Sequence, residues 1–180
     1  EAARRQRHKT IRWVVTVFLI TVVISGIISL VSDEVMDSSS LPVAFLILLA
    51  IVMVGIIFDI IGMAVASADE KPFHSMAARK VPGSQEAIRL LRNAERVSSI
   101  CNDVVGDICG VVSGSASATI AALILTQVDV GWPRGVSLVM SALVAGLTVG
   151  GKAIGKTFAV NSCTQIVHMV GKVLHALNGL

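Results

Sequence analysis

The stretch PVAFLILLAIVMVGIIFDIIGMAVA, from Pro42 to about Ala66, is apolar apart from Asp59, and its reading decides the fold class. A helix rises about 1.5 Å per residue and the hydrocarbon core of a bilayer is about 30 Å thick, so roughly 20 such residues cross it. Working outward, Ile11 to Val31 (IRWVVTVFLITVVISGIISLV) is equally apolar. Two diluted runs follow: about Val97 to Val128, interrupted by Ser, Gly and two Asp, and Val136 to about Val160, which carries Lys152 and Lys156 near its end. The runs are too long for barrel strands and lack their alternation. The expected class is therefore all-α, a polytopic membrane protein with about four spans and interfacial amphipathic helices. The composition agrees, since 54% of the 180 residues are hydrophobic and only 15% are charged, against about 25% charged in ordinary soluble domains.

The net charge of +3 becomes informative once the basic residues are placed between spans. Arg4, Arg5, Arg7, Lys9 and Arg12 precede or open the first span, and Lys71, Arg79, Lys80, Arg89, Arg92 and Arg96 lie between the second and third. The segment from Ser32 to Leu41 has no basic residue and holds Asp33, Glu34 and Asp37. The N-terminus, the long middle loop and the C-terminus are thus expected in the cytoplasm, the membrane being a bacterial cytoplasmic one. Ile11 to Val31 reads as a retained anchor rather than a signal peptide, because no small-x-small cleavage pattern follows it.

The middle segment, 69–96, reads as two short helices. Pro72 suits the first turn of one, Val81-Pro82-Gly83 breaks it, and Ser84 is placed to cap the next. Ala87, Ile88, Leu90, Leu91 and Ala94 then give that helix an apolar side, expected to lie along the inner membrane surface. Cys163 to Leu180 repeats the pattern more weakly. Cys101, Cys109 and Cys163 lack metal-ligand spacing and read as buried thiols, and His8, His74, His168 and His175 are scattered polar residues. Small residues four apart let membrane helices approach closely; Gly106, Gly110 and Gly114, Gly146 and Gly150, and Gly151 and Gly155 are such series. They imply tight contacts within one chain or across a homodimer.

Ionisable residues inside a bilayer cost about 2.5–3.5 kcal/mol each on insertion scales, so they mark functional positions. Asp59 lies in the second run, Asp103 and Asp107 four apart in the third, and Lys152 and Lys156 four apart in the fourth. On an unbroken α-helix Asp103, Asp107, Gly110 and Gly114 share a stripe, with Asn102, Ser113 and Ser117 nearby, and such a stripe is expected to face inward. Two readings stand level at this point. In one, Asp59, Asn102, Asp103, Asp107 and Ser113 supply the oxygens a hard cation such as Mg²⁺ requires. In the other, an acid pairs with Lys152, or the lysines snorkel to the surface, and the charges only fix helix packing. No nucleophile and base pairing, phosphate loop or metal-ligand spacing suggests an enzyme, no bound cofactor is implied, and no nucleic-acid partner is expected.

From about Gly55 to Ile166 the chain resembles the transmembrane domain of the cyclin-M/CorC magnesium-transporter family. The resemblance rests on GMAVASADEKPF (Gly62–Phe73), on EAIRLLRNAERVSSICNDVVGDICGVVSG (Glu86–Gly114), and on GKAIGK (Gly151–Lys156). The family's Ala-x-x-Leu-Leu-x-Asn-Pro-Glu-Arg run is matched at Ala87, Leu90, Leu91, Asn93, Glu95 and Arg96, and its Gly-Glu-x-x-Pro-Lys run at Gly151 and Lys156. The resemblance implies a three-span domain over 41–162, with residues 1–40 an added anchor and external loop and 163–180 a juxtamembrane helix. It also implies a homodimer with Mg²⁺ as the transported ion. The chain departs from the pattern where Asp59, Ile60, Ile61 and Gly62 stand in place of hydroxyl residues, Asp107 in place of Asn, Lys152 in place of Glu, and Gly155 in place of Pro. Two functions follow: binding or transport of a cation, with or without Na⁺ or H⁺ coupling, or a non-transporting membrane scaffold that binds a cytoplasmic protein at 72–96.

Overall fold

The computed structural model describes residues 2–37, 39–127 and 131–178, with side chains from residue 11 onward except 33, 36 and 37. Of the basic flank from Arg4 to Lys9, with His8, and of Asp33 and Asp37 only the helical backbone is described, and Val128 at the end of the third apolar run lies outside the described residues. The described residues form helices α1 (Ala2–Asp37), α2 (Leu41–Ser67), α3 (Lys71–Ala78), α4 (Ser84–Arg92) and α5 (Ala94–Ser99). A π-helical segment, π1 (Ile100–Gly106), leads into α6 (Asp107–Gln127), followed by α7 (Pro133–Asn161) and α8 (Cys163–Asn178). No strand occurs among them.

Four stretches are long and apolar enough to cross a membrane: Ile11–Ser32, Leu41–Ser67, Ala94–Gln127 and Pro133–Asn161. Each coincides with an expected run. This is an all-α integral membrane protein, and the side chains that would be anomalous on a soluble fold, such as Phe18, Leu30, Leu46 and Ile154, have a lipid environment to face.

Contacts divide the chain into two units. The first joins Glu1–Ile51 with Ile108–Val144. Its α6 buries Val112, Ala116 and Ile120 on one row and Ser113, Ser117 and Ala121 on the next, while α2 contributes Ala44 and Leu48. The serines are tolerated because each hydroxyl donates to its own helix: Ser113 Oγ to the Gly110 carbonyl at 2.9 Å and Ser117 Oγ to Gly114 at 2.8 Å. The apolar stretch of α1 contributes almost nothing to this interior; of its described side chains only Ser32 is buried.

The second unit joins Val52–Asp107 with Ala145–Leu180. Its core gathers Ala64 and Val65 of α2, Phe73 of α3, Ala87, Ile88 and Leu91 of α4, Ala159 of α7 and Val167 of α8. Phe73 is fully buried at the first turn of α3, where Pro72 supplies a fixed φ and lacks the N–H that would go unbonded. The break before α4 is made by two left-handed residues, Lys80 (φ 55°) and Gly83 (φ 82°). Gly83, not Ser84, is the N-cap of α4; Ser84 is its first helical residue, and its hydroxyl turns back to the Val81 carbonyl at 2.6 Å.

The apolar side of α4 does not lie on lipid. Ala87, Ile88 and Leu91 are buried in the protein core, and α8 is packed against α4, with Gly171 against the Gly83 carbonyl. The sequence pattern gives amphipathicity but not the identity of the apolar partner. Here that partner is α8, which the chain brings back after α7.

Candidate functional site

Asp59 is the buried charge of the second unit, only 4% exposed. Its surroundings follow from two glycines on α7. A Cβ at Gly155 would fall 2.8 Å from Ile60 Cγ1, and one at Gly151 would run into Ile56. The bare backbone at these positions therefore lets α2 and α7 close on each other, as the small-residue spacing implies. Lys152 and Lys156 each follow one of these glycines in sequence, so the same close approach delivers both ammonium groups toward Asp59.

They arrive unequally. Lys156 Nζ lies 3.9 Å from Asp59 Oδ2, with 49% of the lysine side chain exposed. At that distance it is an ion pair without a hydrogen bond, and Asp59 Oδ2 is buried with no donor. Lys152 Nζ donates to the Gly106 carbonyl at 3.4 Å. The space a Gly106 Cβ would take is bordered by Lys152 Nζ at 3.4 Å and Asp59 Oδ1 at 3.6 Å. Gly106 thus leaves room for carboxylate and ammonium to share one pocket of backbone.

Gly106 closes π1, a seven-residue segment of i→i+5 bonding that interrupts the third span. An α-helical stripe through Asp103 and Asp107 assumes 3.6 residues per turn; the wider π turn resets the face. Gly106 is the residue brought to Lys152, and Asp103 and Asp107 are exposed. The expectation that these two acids face inward is corrected accordingly. Asp103 Oδ2 accepts from Ser99 Oγ at 2.8 Å. Asn102, also on π1, sits against Gly62 of α2, where an added Cβ would collide with its side-chain amide and with Cys101 Cβ. Asn102 Nδ2 donates to Ser98 Oγ at 3.2 Å, while its Oδ1 is buried without a donor.

Beside Asn102 opens a cleft of about 380 Å³ lined by Ala66, Ala94, Glu95, Ser98, Ser99, Asn102 and Asp103. Ser98 and Ser99 are lining residues that the sequence reading does not single out, and Glu95 enters that reading only as a match to the family's run. The signal available was their helical spacing from Asn102 and Asp103. Ser113 belongs to the first unit, bonded within its own helix. Of the residues expected to hold a cation, then, Asp59 stands with Lys152, Lys156 and Gly106, Asn102 and Asp103 border the cleft, and Asp107 and Ser113 join neither group. Among the described residues no three His, Cys, Asp or Glu side chains are placed to hold a metal ion.

The glycine series divide in the same way. Gly106, Gly151 and Gly155 mark close contacts, whereas Gly110, Gly114, Gly146 and Gly150 have open space where a Cβ would project. Chemically, one buried carboxylate with two ammonium groups beside it carries an excess of positive charge, which repels a divalent cation. No protein-family model, no curated protein and no solved structure matches this chain.

Proposed function

We propose that the chain is a divergent membrane protein of the cyclin-M/CorC type in which its own lysines take the place of the cation, so that it acts as a membrane-embedded scaffold or assembly partner and not as an ion conduit. One observation carries the reading: Lys152 Nζ rests on the Gly106 carbonyl beside Asp59, and Lys156 approaches the same carboxylate. A tethered ammonium supplies the neutralising charge a buried acid requires and cannot diffuse away. The protein sits in a bacterial cytoplasmic membrane with both termini inside, and the uncontacted faces of Gly110, Gly114, Gly146 and Gly150 suit a homodimer. Residues 72–96 offer their polar side to a cytoplasmic partner.

A second reading, binding or transport of Mg²⁺ with or without Na⁺ or H⁺ coupling, is favoured by two buried oxygens with no donor, Asp59 Oδ2 and Asn102 Oδ1. Ion flux from liposomes reconstituted with the full chain separates the two. The first reading predicts no flux of Mg²⁺, Na⁺ or H⁺ above empty liposomes in the parent or in Asp59→Asn. Flux in the parent that Asp59→Asn abolishes would establish the second reading and remove the first.

A further inference from the structure

Each of the four candidate spans holds one uninterrupted uncharged interval: 13–32, 41–58, 108–127 and 135–151. Each is close to the ~20 residues that a hydrocarbon core about 30 Å thick admits at about 1.5 Å per residue. At one end the last three intervals are bounded by Asp59, Asp107 and Lys152. The counts run along separate helices, yet they finish at one place. Lys152 Nζ donates to the carbonyl of Gly106, which precedes Asp107 in sequence, and Lys152 Nζ and Asp59 Oδ1 both border the space a Gly106 Cβ would take. Three counts that meet at one contact mark one depth, with the hydrocarbon to one side of it.

A tryptophan marks the other end. Trp132 stands immediately before α7, and its carbonyl accepts from the Gly135 amide at 3.1 Å. Its ring lies over Gly135, where an added Cβ would collide with it, yet the residue is 69% exposed. An apolar ring with one N–H donor, presented outward at the head of a span, suits the headgroup region. From Trp132 a count of about 20 residues reaches Lys152. We infer that Trp132 anchors α7 in the headgroup layer of one leaflet, and that the depth so set puts Asp59, Lys152 and Lys156 at the headgroup layer of the other, the cytoplasmic one in the topology proposed above. Lys156, with 49% of its side chain exposed, then meets water and lipid phosphate and not acyl chains. The placement is the same for either function proposed above, and depth is read without measuring ion flux.

The test uses the full chain in vesicles of phosphatidylcholine and phosphatidylglycerol. In Trp13→Phe, Trp132 is the sole tryptophan, and lipids brominated near the headgroup are expected to quench it severalfold more than lipids brominated near the chain ends. Nitroxide labels then report the depth of α7 with Trp132 left in place. Leu143 and Ile154 are 63% and 75% exposed and follow Trp132 at intervals of about three turns, so all three share one side of the helix. Leu143→Cys and Ile154→Cys are introduced singly after Cys101→Ala, Cys109→Ala and Cys163→Ala. The label at 154, between the two lysines, is expected to be severalfold more accessible to an aqueous nickel chelate than the label at 143, and less accessible to oxygen. Quenching of Trp132 chiefly by the deep bromines, or by aqueous acrylamide alone, would overturn the inference. So would a label at 154 as shielded from nickel as the one at 143, since the charged cluster would then lie at the depth of the acyl chains.

Discussion

At the scale of single residues, Lys152 and Lys156 differ in what removal would cost. Lys156 reaches Asp59 only at 3.9 Å and keeps 49% of its side chain exposed, so its ion pair is screened and worth about 0–1 kcal/mol. Lys152 is partly buried and donates to a backbone carbonyl of π1, and hydrogen bonds involving a charged group contribute about 1.5–3 kcal/mol. Lys152→Met is therefore expected to lower the unfolding midpoint in detergent clearly more than Lys156→Met. Equal losses, or the reverse order, would mean that the lysines are interchangeable counter-charges and that the Gly106 contact does not matter.

At the scale of elements, the α4 and α8 crossing is the most exacting contact of the second unit. Gly83 combines φ 82° with backbone of α8 at the place a side chain would occupy, and a Cβ at Gly171 would strike the Gly83 carbonyl. Backbone on both sides leaves no flexible atom to yield, so Gly171→Ala is expected to cost about 1–3 kcal/mol and to raise amide exchange throughout α4. Glu86 and His175 span the same crossing at 3.1 Å. The hydrogen bond from His175 holds the Glu86 carboxyl below the usual value of 4.5, Arg89 adding a smaller pull in the same direction. A depressed carboxyl stabilises the fold above its ordinary value and loses that contribution as pH falls through the lower folded value. Exchange in α4 should thus rise on acidification below about pH 4.5, and His175→Ala should remove that step; an unchanged acid profile in the variant would exclude this pair as its source. The two helices were legible from their amphipathic periodicity, and the spans from apolar length. What covers an amphipathic face was not legible, because the contacts between α4 and α8 join residues about 90 positions apart, as His175 and Glu86 do. Nor was π1: no residue in Ile100–Gly106 announces an i→i+5 turn. The inward stripe of Asp103 and Asp107 therefore failed, while the pairing of an acid with a lysine of the fourth run, one of two readings the sequence left level, could not be assigned to a particular pair: the lysine within 4 Å of Asp59 is Lys156, and Lys152 meets the Gly106 carbonyl.

At the scale of the molecule, the topology proposed above, with both termini inside, requires each of the four candidate spans to cross the membrane. The second span, Leu41–Ser67, separates two connections of opposite character. Before it come Asp33, Glu34 and Asp37; after it come Lys71, Arg79, Lys80, Arg89 and Arg92. At about 1.5 Å per residue the 27 residues of α2 exceed the hydrocarbon thickness, so Ser40 and Gln85 should lie on opposite faces, and the basic bias assigns Gln85 to the cytoplasm. Both residues are exposed, which makes Ser40→Cys and Gln85→Cys suitable reporters against the parent's own thiols. An impermeant maleimide applied to intact cells is expected to label Ser40→Cys at once and Gln85→Cys only after lysis. Labelling of both from outside would show that α2 does not cross. The inverse pattern would keep the spans and reverse the orientation, and with it the assignment of Lys152 and Lys156 to the cytoplasmic leaflet.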